Sequence, residues 1–295
     1  MPLNLGNHTP IRFTPITFSQ MEKIEFIRKK SRSTMYVYTF ASLFVWQEHE
    51  GYEIYISDDA FLIRHGVRGE DVYLFPCGTE TGKKQLIDTL LTKCSPVFSF
   101  VTDEDMLFLE RVYSGRFRFT ACRDDYPYLY DKDEQIALAG KEFKNLRHQV
   151  NLGRSMALSW SVEPLCDENV DRARIINRKW TEGRSGDDLA DTAAAEKALC
   201  HFSQLQLWGA LFKADDKDVA YAAGVFVIPE IFDVSFCKVL NRSCDCFIKR
   251  ELYRFLPDEV KTVDSEEDMG LPGLRTHKLL RRPKELIRIW EGRAI

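Results

Sequence analysis

Alternation of apolar and polar positions divides the chain into short strands and amphipathic helices. The stretches "YEIYIS", "FLIRH" and "DVYLF", within residues 52–75, alternate with the period of two that is typical of strands. "ETGKKQLIDTLLTK" has the three-to-four spacing of an amphipathic helix. "VFSFVT", "DEDMLFLERVYSG" and "RFRFTA" then predict a strand, a helix that ends at a glycine, and a strand. The predicted order is three strands, helix, strand, helix, strand.

The same order returns in the second half of the chain. Residues 207–239 predict three strands, "CDCFIKRELYRFL" a helix, "VKTVD" a strand, "LRTHKLLRR" a short helix and "ELIRIW" a last strand. Two acidic stretches recur at matching places, "ISDDAFLI" with "KADDKDVA" and "VTDEDML" with "VDSEEDMGL". Agreement in both order and spacing predicts a duplicated α/β unit with mixed sheets.

A basic segment, "KDEQIALAGKEFKNLRHQVNLGRS", separates the two halves. We predict one amphipathic helix here, because its apolar residues fall on a single helical stripe. The stripe consists of Ile136, Ala139, Phe143, Leu146 and Val150. The predicted domains are residues 1–127 and residues 128–295, and the second includes this interdomain helix.

Composition narrows the class of protein. The chain has 295 residues, 44% of them hydrophobic and 29% charged, with a net charge of -4, which is typical of a soluble globular protein. This charge excludes a uniformly basic nucleic-acid binder, so we expect no duplex DNA partner. The first residues carry no charged leader, and no run reaches the roughly 18 apolar residues of a membrane span. A cytoplasmic protein is predicted, with a peripheral position at the inner membrane face as an alternative.

The cysteines and histidines do not form a recognisable reactive set. Eight cysteines are scattered along the chain without a CxxC pair, which favours free thiols in a reducing compartment. None of the six histidines is at a catalytic spacing from a cysteine or serine. We therefore predict neither a metal site nor a nucleophilic enzyme.

Three stretches resemble a known bacterial family. "LAGKEFKNLRHQVN" and "EEDMGLPGLRTHKLLRRP" resemble the signatures of the phosphatidylglycerol lysyltransferase C-terminal domain-like family, and "YTFASLFVWQ" resembles its early aromatic block. The resemblance implies a tandem pair of acyltransferase domains of the GNAT type. The sequence departs from the family pattern in two places. Cys237, Lys238 and Val239 stand where Glu-Lys-Ala is usual, so only the lysine is kept, and Asp264 stands where asparagine is usual.

Asp268 and Glu266, in the late signature, are the candidate catalytic residues. They follow a predicted strand and precede Gly270, which permits close backbone approach. A carboxylate there can take a proton or hold an ammonium group. The alternative is a pair of helix-start acids that make caps and salt bridges. Glu104 and Asp105 take the equivalent place in the first unit but lack the glycine-rich continuation, which favours one working site, in the second unit.

Basic and polar residues of both signatures are candidates for binding a substrate or an anion. The basic residues of the two signatures form two positively charged stretches, which we expect to bind phosphates. The alternative, which is commoner for such charges, is that they lie on helix faces exposed to solvent. The candidates are Lys141, Lys144, Arg147, Asn151, Lys238, Arg275 and Lys278. The partner would be an anionic small molecule, a lipid head group or the acceptor end of a tRNA.

The predicted activity is transfer of an acyl or aminoacyl group to an amine or hydroxyl acceptor. The donor is either an aminoacyl-tRNA or an acyl-CoA, and no other cofactor is predicted. Acyl-CoA is disfavoured because "KVLNRSCDC" lacks the glycine-rich loop that would bind its pyrophosphate. Two alternatives remain open: a non-catalytic module that binds an anionic ligand, and a CoA-dependent N-acetyltransferase with a degenerate phosphate loop. Phe40, Phe44 and Trp46, in the aromatic block, are expected to pack in the core.

Overall fold

The structure, a computed structural model, describes residues 11–295. Their strands are β1 (Thr14–Pro15), β2 (Tyr52–Ile56), β3 (Ala60–His65), β4 (Val72–Leu74), β5 (Cys77–Gly78), β6 (Val97–Thr102), β7 (Phe117–Ala121), β8 (Tyr128–Asp131), β9 (Trp160–Pro164), β10 (Trp208–Ala214), β11 (Lys217–Ile228), β12 (Ile231–Val239), β13 (Thr262–Asp264), β14 (Glu285–Leu286) and β15 (Ile289–Ala294). Most predicted strands are present within a residue or two of their expected ends.

The helices lie between these strands. They are α1 (Met21–Lys30), α2 (Phe40–Glu50), α3 (Glu80–Leu91), α4 (Asp103–Val112), α5 (Lys132–Ala137), α6 (Lys144–Arg154), α7 (Val170–Thr181), α8 (Asp187–Cys200), α9 (Asp245–Phe255) and α10 (Pro272–Leu280). In the described part of the chain, no helix is both long and apolar enough to cross a membrane.

The chain forms two compact units, each with one mixed sheet. Among the described residues, the first unit contains residues 11–33, 46–122 and 289–295, and the second contains residues 34–45 and 123–288. This grouping differs from a single division after residue 127. The last strand, β15, belongs to the first unit because it pairs with β6 and β7.

The two sheets share one strand pattern. The first has the order β1-β2-β3-β4-β6-β15-β7, with β5 on β3, and the second has the order β14-β8-β13-β12-β11-β10-β9. In both, three antiparallel strands lead to one parallel pair, which is β4 with β6 and β12 with β13. An antiparallel strand from elsewhere in the chain follows, β15 or β8. The predicted duplication of an α/β unit is confirmed by this shared order.

Two of the predicted elements are interrupted. The prediction of a single last strand over "ELIRIW" is wrong. β14 ends at Leu286 and pairs in the second sheet, whereas β15 begins at Ile289 and pairs in the first. The prediction of one continuous interdomain helix is also wrong. Leu138 and Gly140 have positive φ angles of 49° and 87°, which end α5 before α6 begins.

Each unit has its own hydrophobic core. In the second unit Phe143, Leu146 and Val150 of the predicted stripe are buried against α9 and the sheet, but Ala139 is exposed. In the first unit α3 and α4 bury their apolar residues around Phe98. Phe40 and Phe44 are buried as expected, and Trp46 is partly buried.

Candidate active site

Two buried acids lie where the parallel strands of the second sheet separate. Asp233 of β12 and Asp264 of β13 are partners in the last register pair between these strands, and β13 ends there while β12 continues to Val239. Partners in adjacent strands project to the same face of a sheet. Asp233 and Asp264 are 0% and 1% exposed, so the two carboxyl groups are held together away from solvent.

Burial makes this pair retain a proton. It raises the pKa of Asp264 to about 7. Burial, and then the negative charge of Asp264, raises the pKa of Asp233 well above its usual range. Ser235 donates a hydrogen bond of 2.6 Å to Asp233 Oδ2. The other oxygen of this carboxyl group, Asp233 Oδ1, is buried and has no hydrogen-bond partner within residues 11–295. Two adjacent carboxylates in such a place cannot both ionise cheaply.

Glu266 and Glu267 extend the pair into an acidic cluster, here meaning Asp233, Asp264, Glu266 and Glu267. Both glutamates are partly buried. Burial raises the pKa of Glu266 well above its usual range, and the charges of Asp233 and Glu267 add to the effect. Tyr36 donates a hydrogen bond to Glu267 Oε2. Glu266 has a φ angle of +55°, so the chain turns sharply at this carboxylate.

Lys278 is the cation that faces the acidic cluster. Its ammonium donates to the carbonyl oxygens of Ser265 and Glu266, the latter at 3.2 Å. Desolvation lowers the pKa of Lys278, although Glu267 and Glu266 act against this effect. Within residues 11–295, the charge of Lys278 acts on Asp233, Asp264 and Glu266, and the cluster suits a further positive group or a transferable proton.

Asp268 lies at the centre of a separate ion-pair network. Its carboxylate accepts hydrogen bonds from Tyr128 at 2.5 Å, from Arg123 at 3.0 Å, from Gly270 N–H at 3.0 Å and from Arg275 at 2.6 and 2.9 Å. Burial acts to raise the pKa of Asp268, but the bonds from Arg275 and Tyr128 overcome it and hold the pKa well below its usual range. Asp268 is 0% exposed, so it is an ionised group whose oxygens are already occupied.

Gly270 has the role in the backbone that its position predicts. Its φ angle is +71°, and a side chain there would bring Cβ to 2.8 Å from Asp124 Oδ2. The same Asp124 accepts a bond of 2.6 Å from Arg275. Because Gly270 has no side chain, the segment after β13 passes close to Asp124, and Asp124 pairs with Arg275.

The predicted anion-binding residues have different surroundings. Lys141, Lys144 and Asn151 are exposed, as a solvated helix face would be. Arg147 donates to the carbonyl oxygens of Leu138 and of Gly140, the latter at 2.7 Å, and so closes the turn between α5 and α6. In the described part of the chain, Arg275 and Lys278 are the candidate residues that hydrogen-bond to residues 265–268.

Lys238 is buried against an aromatic ring. It is 3% exposed, pairs with Asp191, and lies 4.0 Å from the ring centroid of Trp180. Arg184 lies 3.5 Å from the centroid of the same ring. Burial raises the pKa of the neighbouring Cys237 thiol to about 11, so this thiol is protonated at neutral pH.

The corresponding acids of the first unit have structural roles. Asp105 accepts a 2.7 Å bond from the Thr102 hydroxyl and caps the start of α4. Lys83 donates a further bond of 2.9 Å to Asp105. Glu104 is exposed. These contacts agree with the expectation that a working site belongs to the second unit.

The turn before α9 does not fit the pyrophosphate of an acyl-CoA. Asn241 accepts from the Ser243 N–H with its side chain and from the Cys244 N–H with its carbonyl oxygen. Asp245 then places a carboxylate in the first turn of the helix. An anion binds a helix start through unoccupied N–H groups, and a carboxylate there repels it.

The sequence matches the family described as "Phosphatidylglycerol lysyltransferase, C-terminal" over residues 28–290. The chain belongs to this family. No curated protein matches it. Because the matched range includes both units, the family resemblance extends over β12, β13 and the segment that carries Glu266 and Asp268.

Solved structures show that the fold of this lysyltransferase-type chain recurs. A conserved protein of unknown function from Bacteroides thetaiotaomicron is 23% identical, with a TM-score of 0.86 over 97% of this chain and 100% of that one. L-PGS from Bacillus licheniformis is 14% identical, with a TM-score of 0.64 over 92% and 91%. FemX is 10% identical, with a TM-score of 0.59 over 95% and 97%. The predicted tandem GNAT-like fold with mixed sheets is confirmed.

Sequence patterns missed several residues of this site. Asp233 and Tyr36 reach the late signature from distant parts of the chain, and no local motif marks them. Asp245, Cys246 and His277 also come together, with Cys246 and His277 separated by 31 positions. Asp233 reaches the site through the register of β12 against β13, which places it beside Asp264.

Proposed function

We propose that the chain is an acyl- or aminoacyltransferase that moves its group to an amine or hydroxyl acceptor beside the acidic cluster. The observation that carries this proposal is the convergence of four carboxyl groups and Lys278 where β12 and β13 separate. Membership of the lysyltransferase family supports the reaction class.

Glu266 is the best-supported group for proton transfer. It is partly exposed, so an acceptor can reach it, whereas Asp233 and Asp264 are buried. Its raised pKa makes it a stronger base than an ordinary carboxylate, and a base works best when its pKa lies near the working pH. Burial is the main cause of that raised pKa, and the charges of Asp233 and Glu267 add to it.

Glu266 alone can accept and return the proton that moves during the transfer step. The acceptor oxygen or nitrogen forms a bond to the acyl carbon and gives its proton to the Glu266 carboxylate. The bond from that carbon to the donor oxygen then breaks, and Glu266 returns the proton to the leaving oxygen. Lys278 offers a positive charge near the developing oxyanion.

Asp268 is better suited to positioning than to proton transfer. Its oxygens are already occupied by Arg123, Arg275 and Tyr128. An ionised Asp268 fixes the guanidinium of Arg275, which remains about a third exposed and can meet an anionic part of a substrate. The exposed Lys141, Lys144 and Asn151 could add weaker contacts to the same anionic donor.

An aminoacyl-tRNA is the favoured donor. The turn before α9 uses its own amides and carries Asp245, which disfavours acyl-CoA. A tRNA acceptor end needs exposed cations along its backbone, and the surface of α6 offers them.

The test is a transfer assay with a panel of donors. The chain is incubated with tRNA charged with labelled lysine or alanine, or with labelled acetyl-CoA, together with vesicles of phosphatidylglycerol. We expect labelled lipid, or a labelled amine product, from a charged tRNA and none from acetyl-CoA. Transfer from acetyl-CoA would contradict the donor assignment. If every donor fails while native mass spectrometry shows a bound anionic ligand, the chain is a binding module and the transferase proposal is wrong.

A further inference from the structure

Three side chains with metal-binding atoms converge at the start of α9. Asp245 and Cys246 are its first two residues, and His277 approaches from α10. His277 Nε2 lies 2.9 Å from Asp245 Oδ2 and 3.8 Å from Cys246 Sγ. One carboxylate oxygen, the Sγ and one imidazole nitrogen all lie within 4.8 Å of one another. Neither the sequence motifs nor the proposed transfer reaction uses this group.

The contact between Asp245 and His277 is close without being a good hydrogen bond. Within residues 11–295, Asp245 Oδ2 is buried and has no hydrogen-bond partner, although the imidazole nitrogen is 2.9 Å away. The two atoms therefore approach one another without a well-aligned N–H between them. Three ligand-type atoms that lie within 4.8 Å of one another on two helices are close enough together to surround one ion.

We propose that Asp245, Cys246 and His277 bind a divalent cation of the zinc class, with solvent in the remaining position. Zinc lies about 2.0–2.3 Å from nitrogen, oxygen and sulfur ligands, so ligand atoms around it are roughly 3–4 Å apart. The measured separations of 2.9 and 3.8 Å match this range closely. A thiolate with an imidazole selects zinc over magnesium or calcium. The Asp245 and His277 side chains are 24% and 30% exposed, which leaves an entry path.

Lys249 sets the strength of this site. Its ammonium lies 3.2 Å from Asp245 Oδ2, so a cation must share that carboxylate with it. Binding releases the proton of Cys246, and the new thiolate restores negative charge beside Lys249. The site should therefore bind zinc less tightly than a set of ligands without a neighbouring cation, and removal of Lys249 should tighten it.

Cobalt is a suitable probe, because thiolate ligation gives Co(II) an absorption band in the near ultraviolet. The full chain is reduced, stripped of metal with a chelator and titrated with Co(II), followed by Zn(II). We expect the thiolate band to reach its maximum at one equivalent of cobalt and to disappear when zinc is added. The assay does not depend on transferase activity, so its failure and that of the proposed function are separable.

Matched variants decide which thiol binds. Cys246→Ser should abolish the thiolate band, and His277→Ala should weaken cobalt binding by more than about tenfold. Cys244→Ser is the control, because Cys244 is a buried thiol two positions away whose Sγ faces the Gly153 carbonyl. Lys249→Met should increase affinity. The proposal is overturned if no band forms, or if the band survives Cys246→Ser and His277→Ala in folded protein.

Discussion

The two sheets differ most at the place where each has its parallel strand pair. In the first unit β4 and β6 end their register at Leu74 and Ser99, and Phe98 packs on Phe75 at 5.6 Å and on Phe117 at 5.9 Å. In the second unit the equivalent register pair is Asp233 with Asp264. The end of the parallel pair thus holds Leu74 and Ser99 in one unit, on the sheet face opposite Phe98, and two carboxyl groups in the other.

This difference supports the proposal that the second unit carries the chemistry. Aromatic rings stabilise a core by burying apolar area. Buried carboxyl groups cost stability unless they are paired, and proteins retain such groups mainly where function requires them. The second unit keeps the costly arrangement, while the first uses its acids to cap α4. The variants below test this contrast, in order of decreasing expected effect.

Phe98→Ala should be the most damaging change. Phe98 is 0% exposed in the first core, so its loss leaves a cavity that costs about 3–5 kcal/mol in the free energy of unfolding. Urea denaturation followed by far-ultraviolet circular dichroism measures it. A cost below about 1 kcal/mol would show that Phe98 is not packed in the core of the first unit as described above.

Asp268→Asn should cost about 2–3 kcal/mol. The change removes the charge that pairs Arg123 and Arg275, and breaking a buried ion pair is expensive. The expected cost is below the usual value for a fully buried pair, because both arginines remain about a third exposed. Glu104→Gln, which changes an exposed acid of the first unit, is the control and should change stability little. Equal effects of the two variants would argue against a special role for Asp268.

Stability should fall as pH rises from about 4 to 7, on the order of 2 kcal/mol. The folded state raises the pKa of Asp264 from 3.8 to about 7, so it holds a proton that the unfolded chain releases. The stabilisation is complete below the unfolded pKa and is lost as pH passes through the folded pKa. Asp264→Asn should flatten this slope, because an amide can donate to Asp233 without titrating. Thermal melts across this pH range measure it, and an unchanged slope in the variant would contradict the assignment.

Lys144→Ala should have the smallest effect, within about 0.5 kcal/mol, because the side chain is exposed on α6. Thermal unfolding checks this value. If α6 contacts a tRNA donor, the same variant should weaken transfer more at low salt than at high salt, because salt already screens the lost contact. A large loss of stability would place Lys144 in an interaction that the structure does not contain.

Local periodicity predicted the elements that repeat between the units. β6 has the bounds of its predicted stretch "VFSFVT", and α4 begins at the predicted acids, although it ends at Val112, before the predicted glycine end. Helix α8 was not predicted, because "DDLADTAAAEKALC" is rich in alanine and lacks a clear apolar stripe. The break between α5 and α6 depends on Leu138, whose left-handed conformation no residue-type rule indicates.

Charge grouping in the sequence identified only part of the site. Asp268 and Arg275 are seven residues apart, so their pairing was within reach of local reasoning. The partnership of Asp233 with Asp264 depends on strand register, and that of Tyr36 with Glu267 joins positions 231 residues apart. Such contacts depend on tertiary structure. The sequence therefore singled out the segment that carries Glu266 and Asp268, but not Asp233, whose charge adds to the raised pKa of Glu266.

The central claim is that the acidic cluster of the second unit handles the proton during transfer. The most direct test compares initial transfer rates of Glu266→Gln and Glu104→Gln with the parent chain, using the donor that the panel identifies. Both changes remove one carboxylate and keep its size, and they lie at corresponding places in the two units. The account predicts a loss of at least about 100-fold for Glu266→Gln and an unchanged rate for Glu104→Gln. Similar rates for the two variants, in folded protein, would contradict it.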